Sequence, residues 1–230
     1  MKKIGTAFLL ISFLSVFSQV RTGAHKYEAL DPNTAGKIFR NQTPGKDRPT
    51  GSPYLMKMFA SAKVEGIAKN AFMRYNVFND EFEFITNNND TLILDKIEDF
   101  GTITFNGLNK KYQLTAYTNT KGKLDYGYLI DFYRKGGVVL YMKENIDFYE
   151  AKKAKTSLER DIQARYTKTD DSYFLKIKEA AIAEFPNGKK DLIKLFPDKK
   201  PEIETWLKAN KVSFGDRADM VRIVDFLATL

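Results

Sequence analysis

Cysteine is absent from this sequence, histidine occurs once, tryptophan occurs once, and glycine-rich phosphate loops do not occur at all. Each absence closes a class of chemistry. Without cysteine there is no thiolate nucleophile and no disulfide framework. The lone histidine, His25, lies in a polar stretch rich in Pro, Gly, Thr and Asn. A Ser-His-Asp triad needs an imidazole held by a scaffold, and zinc sites of the His/Cys type lack their ligands here. Neither G-x-x-x-x-G-K-[ST] nor G-x-G-x-x-G is present.

Long apolar runs are missing too, with one informative near-exception. Lys2 and Lys3 precede an apolar run from Ile4 to Phe17, then Ser18-Gln19. A basic start, a short apolar core and small or polar residues after it describe a secretory signal peptide. The run has 14 residues, short of the roughly 17–25 that a span requires. An uncleaved N-terminal anchor is the alternative that this length disfavours. With no cysteine near the cleavage site to carry a lipid, the expected product is periplasmic or secreted, not a lipoprotein, and has no membrane span after cleavage.

What is present is charge, aromatic rings and alternation. The formal net charge is +8, and residues 151–212 hold 15 Lys/Arg against 10 Asp/Glu. A basic face can attract nucleic acid, acidic lipid or anionic polysaccharide. Here acids are interspersed, which reads as a solvated lysine-rich surface. Lys199, Lys200, Lys208, Lys211, Arg217 and Arg222 on the tail are the basic residues that a helix-turn-helix reader of DNA would use. Glu202, Glu204, Asp216 and Asp219 break that face, and export removes the protein from DNA. No nucleic-acid partner is expected.

The chain divides into a signal peptide at 1–19, an extended lead-in at 20–53, an antiparallel β domain at 54–186 and a C-terminal helical region at 187–230. In the lead-in only Ala35 to Phe39 has the makings of a helical turn. Tyr54 to Ala60 and Ala62 to Ile67 read as short strands. Ala71 to Phe78 and Glu81 to Thr86 flank Asn79-Asp80, a pair suited to the φ > 0 turn of a two-residue hairpin. Ala71, Met73, Tyr75 and Val77 share one side, as do Phe82 and Phe84 on the next strand, so the aromatic stripe reads as core. Thr91 to Asp95, Thr102 to Asn106, Lys111 to Tyr117, Tyr126 to Arg134, Val138 to Lys143 and Ile146 to Tyr149 continue the series. Ala151 to Lys168 fits one or two helical turns capped by Ser157. Ser172 to Lys178 and Ala181 to Phe185 form another hairpin. The tail reads as three helices, Lys189 to Phe196, Lys199 to Asn210 and Asp216 to Thr229. Pro201 sits in the first turn of the second, Ser213 with Asp216 caps the third, and Met220, Val221, Val224 and Leu227 form its buried stripe. The expected class is α+β, mainly β: an antiparallel sandwich or barrel-like sheet of about ten strands, followed by a short helical region.

Carboxylates are the remaining source of catalysis. Glu81 and Glu83 share a strand face, and Asp170 and Asp171 are adjacent. Glycosidases set two carboxylates about 5–10 Å apart across a cleft. Acids on strand faces are more commonly solvated, so these are expected to be exposed edge charges. Asn87 to Asp90 could offer oxygens to calcium but lacks the acid spacing and glycine of a calcium loop, and reads as a turn. No catalytic, cofactor-binding or metal residue is assigned, and no cofactor is expected.

The stretches SPYLMKMFASAKVEG, RYNVFNDEFEF, NKKYQL, GYLIDFYRKGGVVLYMKENIDFYEAKKAKTSLE and KPEIETWLKANKVSFGDRADMVRIVDFL together resemble a family of exported flavobacterial (Bacteroidetes) proteins to which no activity is attached. Arg74, Tyr75, Asn76, Asp80, Glu81 and Glu83 match its R-Y-N-x-[aromatic]-x-D-E-x-E strand pair. The resemblance implies export and lineage. It also implies that Asp90-Thr91-Leu92 is a site of O-glycosylation. The functional expectation is a non-catalytic, envelope-associated binding or assembly protein, its partner another envelope protein or a glycan. The alternatives are a carboxylate-dependent polysaccharide hydrolase and a binder of anionic polymers through the basic C-terminal third.

Overall fold

The computed structural model describes residues 39–41, 49–67, 69–86, 88–97, 101–156 and 158–230, without the side chains of 39–41. The expected signal segment at 1–19, His25, Asn87, Ser157 and most of the expected lead-in lie outside these residues. The strands are β1 (Phe39–Asn41), β2 (Ala60–Val64), β3 (Ala71–Asn76), β4 (Glu81–Ile85), β5 (Thr91–Leu94), β6 (Thr102–Phe105), β7 (Lys110–Thr118), β8 (Leu124–Lys135), β9 (Val138–Tyr149), β10 (Arg165–Ile177) and β11 (Ala183–Glu184). They form one antiparallel sheet in the order β1-β5-β4-β3-β2-β6-β7-β8-β9-β10-β11, curled into a half-barrel. The β2–β5 meander and the β6–β11 meander meet where β2 pairs with β6, and β1 pairs with β5 at the far edge.

The even-odd rhythm builds the interior. Ala71, Met73 and Tyr75 of β3 face the core with Phe82 and Phe84 of β4, Phe105 of β6 and Tyr112 and Leu114 of β7. Phe82 is fully buried, and its ring meets those of Tyr75, Phe105, Tyr112 and Tyr128 at centroid distances of 4.7–5.9 Å. Burying one such side chain contributes about 1.5–3 kcal/mol. Bulges help the sheet curl. Phe132 is an extra residue in β8, and Asp170-Asp171 in β10 stand where the register shifts.

The tail follows the expected helices closely: α1 (Lys189–Leu195), α2 (Lys200–Ala209) and α3 (Arg217–Leu227), with a 3-10 turn at Pro197–Lys199. Leu192, Ile203, Met220, Ile223, Val224 and Leu227 pack on Val138, Leu140 and Leu175, covering one face of the β9–β10 end. Tyr117, Leu129, Val139, Tyr141, Phe174 and Ile182 form a smaller cluster of their own.

Several local expectations are corrected. Residues 54–59 form bends, and only Ala60–Val64 is a strand in that region, because Tyr54 and the Lys57 carbonyl turn instead to Arg74. The β3–β4 connection is a four-residue turn, Val77 to Asp80, since Asn76 pairs with Glu81; the Asn76 side chain accepts the Asn79 N–H and closes it. Ile146 to Tyr149 is not a separate strand but the continuation of β9. Among the described residues of 151–168 there is no helix; Lys152 bridges Ile162 and β10 begins at Arg165. The last helix is capped by Asp216, which accepts the Asp219 N–H, and Ile223 stands in its buried stripe where Val221 was expected. The lead-in ends in contact with the sheet: Thr50 bridges Arg165, and Phe39 lies in β1 rather than in a helical turn.

Candidate binding cleft

Two sets of carboxylates must be distinguished, and the first lies in the half-barrel. Glu83, expected at the solvent edge, is 1% exposed. Its oxygens accept from Arg74 Nε at 2.6 Å, from the Tyr54 hydroxyl at 2.6 Å and from Asn76 Nδ2 at 3.2 Å. Arg74 is in turn sandwiched by the rings of Tyr54 and Phe59, 4.0 and 4.5 Å from its guanidinium carbon. A carboxylate tied in this way is tolerable away from water because its lone pairs are used. Its strand neighbour Glu81 is half-buried.

Asp80 is the second member. It ends the β3–β4 turn with φ of 56°, a left-handed conformation that aspartate tolerates better than most residues. From there its carboxylate reaches β8 and β9. It accepts from Lys96 Nζ at 2.6 Å, Lys143 Nζ at 2.9 Å, the Tyr75 hydroxyl and the Tyr128 backbone N–H at 3.2 Å. The β8–β9 ladder has its last pair at Ile130 and Met142, so Asp80 satisfies a Tyr128 donor lying beyond it. Gly127 makes this approach possible: a Cβ there would come within 2.2 Å of Asp80 Oδ2. Glu144, on β9, is the third member; it takes Lys110 Nζ at 2.5 Å and the Tyr112 hydroxyl at 3.1 Å. Burial pushes the phenols of Tyr75, Tyr112, Tyr117 and Tyr128 well above the usual tyrosine range, and Asp80, Glu144 and Asp125 push the same way.

The second set lines a cleft of about 410 Å³ between the β10 bulge, β11 and the start of α3. Asp170, Asp171, Ser172 and Tyr173 come from β10, Glu184 from β11, and Phe214, Gly215 and Arg217 from the approach to α3. The bulge is pinned by Asn145, whose Nδ2 donates to the Asp170 carbonyl and to Ser172 Oγ, both at 2.8 Å. Arg217 is placed by the cap of α3: Asp216 accepts the Asp219 N–H at 3.0 Å, and Asp219 accepts the Ser213 N–H at 2.9 Å. Asp171 is 8% exposed and is held by both Lys168 and Arg217. The Tyr173 hydroxyl is buried without a hydrogen-bond partner; burial raises its pKa, with Arg217 opposing and Asp171 adding to the rise. Asp170 and Glu184 are exposed at the cleft.

Sequence reasoning found Asp170 and Asp171 but not the partner of Asp171, Arg217, 46 residues away in the chain. No sequence signal couples the two. The Asn87 to Asp90 segment is a turn in its described part: Asn89 has φ of 64°, and Thr86 Oγ1 accepts the Asn88 and Asp90 N–H groups. Among the described residues no group of three or more His, Cys, Asp or Glu side chains is placed to hold a metal ion. None of the described helices is long and apolar enough to cross a membrane. No family model matches the chain, and neither a curated protein nor a solved structure matches it.

Proposed function

We propose that the chain is an exported, envelope-associated binding or assembly protein that acts without catalysing a reaction and takes a glycan in the β10–β11–α3 cleft. The observation that carries this reading is the use made of the carboxylates. Glu83 and Asp171, one from each carboxylate pair that could have done acid–base work, are both immobilised by cations. A general acid or base must reach the reacting atoms of its substrate, and a carboxylate whose oxygens are already held by cations is not free to do so. What the cleft offers instead is recognition: hydroxyls of Thr120 and Ser172, the Asn187 amide, the Arg217 guanidinium and the exposed Asp170 and Glu184, beside the Phe214 ring. Hydroxyl-rich ligands need this mixture of donors and acceptors around an apolar surface.

Export rests on the N-terminal pattern Lys2-Lys3 and Ile4 to Phe17. The test is calorimetric titration of the mature chain with a panel of soluble oligosaccharides. Binding that falls at least tenfold in Asp170→Asn together with Arg217→Ala supports the reading. A second reading has one observation in its favour: Asp170, Asp171 and Glu184, from two strands, line one cleft, as a carboxylate hydrolase needs. Release of shortened products from the same panel, abolished by Asp170→Asn or Glu184→Gln, would replace binding with hydrolysis.

A further inference from the structure

A second cleft, of about 250 Å³, opens beside the β8–β9 turn, and its charge is of the opposite kind. Val139 and Tyr141 of β9 and Gln113 of β7 line it, with Arg134 of β8, Lys176 of β10 and Lys178 just beyond it. Glu179 is the one acid in the lining. Arg134 gives one terminal nitrogen to Asp131 at 2.8 Å, which leaves most of its donors for other partners. Neither Lys176 nor Lys178 makes an ion pair among the described residues, although Lys176 is half-buried. Of the tail lysines, Lys189, Lys194 and Lys199 each meet an acid, whereas Lys190, Lys200 and Lys208 make no ion pair among the described residues but line neither of the two clefts.

The backbone is bent to bring Lys178 here. Its φ is 50°, a left-handed conformation unfavourable for a long side chain, and its N–H donates to the Gly137 carbonyl at 2.6 Å. A Cβ on residue 137 would stand 3.0 Å from Lys178 Cγ, so glycine there leaves room for the lysine stem to cross the turn. Strain of this kind persists where the surroundings enforce it, and it clusters at ligand sites.

We infer that this cleft binds an oxyanion, the sulfate, phosphate or carboxylate group of an anionic glycan, held between Arg134, Lys176 and Lys178 with the Tyr141 hydroxyl nearby. The inference is independent of the glycan reading of the larger cleft. It also places anion binding beside the β8–β9 turn rather than on the lysine-rich tail helices. Glu179 at the rim opposes the anion and limits affinity for a free ion. A polymer that presents several charged groups is therefore favoured over a single phosphate.

The experiment is titration of the mature chain at low salt with inorganic phosphate, inorganic sulfate, a sulfated oligosaccharide and an oligogalacturonate. The expected result is binding of at least one oligosaccharide, with the free ions weaker. Lys176→Gln with Lys178→Gln should reduce that binding tenfold or more and flatten its salt dependence. Gly137→Ala should reduce it several-fold, while Lys199→Gln with Lys208→Gln leaves it unchanged. Thermal midpoints of all variants are read in parallel, so that loss of binding is scored only in folded protein. Equal loss in the tail variant would overturn the inference, because binding would then be diffuse. Absence of binding to all four probes would overturn it as well. Free ions that bind as tightly as the oligosaccharides would overturn the assignment to a polymer-borne group.

Discussion

The half-barrel sheet and the cleft beside α3 are both furnished with carboxylates, and they use them in opposite ways. Asp80 and Glu144 on the core side of the sheet, and Glu83 on the opposite face under residues 54–59, each accept from a cation and a phenol, and the side chains are at most 17% exposed. At the cleft, Asp171 is tied down but Asp170 and Glu184 face water. A charge withdrawn from water without a partner costs several kcal/mol, so the buried carboxylates hold the sheet together by necessity. A charge left exposed beside a cavity costs little, and it remains available to a ligand. The difference indicates where to expect stability effects and where to expect binding effects.

That contrast can be broken from the interior side first. Alkaline titration should produce the largest effect. Tyr75, Tyr112, Tyr117 and Tyr128 have folded-state pKa values raised above the unfolded value of about 10. Their contribution to stability is therefore complete below pH about 10 and is lost as pH rises towards the raised folded values. Phenolate absorbance should lag behind an exposed-tyrosine curve and then rise together with loss of the β circular dichroism. A smooth, independent titration would show that these rings are not locked in.

Asp80→Asn comes next. The amide keeps the left-handed turn but leaves Lys96 and Lys143 facing each other without their shared counter-charge. Urea unfolding should show a loss of about 3 kcal/mol or more. Gly127→Ala attacks the same clasp by collision rather than charge, and about 1–3 kcal/mol is expected. At the other region Asp216→Ala removes the cap that sets Arg217, with an expected cost of about 1 kcal/mol in the same assay. It should weaken ligand binding at the cleft more than its stability cost suggests, because Arg217 loses its fixed position.

Periodicity made the half-barrel legible. Alternation in β3, β4 and β7 and the apolar spacing of the tail placed most elements within a few residues. The buried charge network was not legible, because Glu83 and Asp80 occupy positions that look like a solvated strand face and a turn. Their burial depends on Tyr54 and Lys143, each at least 29 residues away in the chain. Polar alternation marks which residues oppose the core, but it does not show when a curled sheet brings Arg74 and bent residues 54–59 across that side. Residues 151–168 misled for a related reason: helix-forming residues, chiefly Ala, Lys and Arg, are frequent there, yet pairing of β10 with β9 and the Lys152–Ile162 bridge hold the described part of the segment extended. Asp170 and Asp171 were noticed as a pair. The bulge that turns one inward and the other outward became visible only in the register.

The most direct test is an amide chemical-shift map of residues 20–230, recorded while soluble oligosaccharides are titrated in. The account predicts perturbations at residues 170–173, 184–187 and 214–217, with the amides of Asp80, Glu83, Gly127 and Glu144 unmoved. Shifts centred on those four residues instead would show that the buried charges are a ligand site rather than the braces of the sheet.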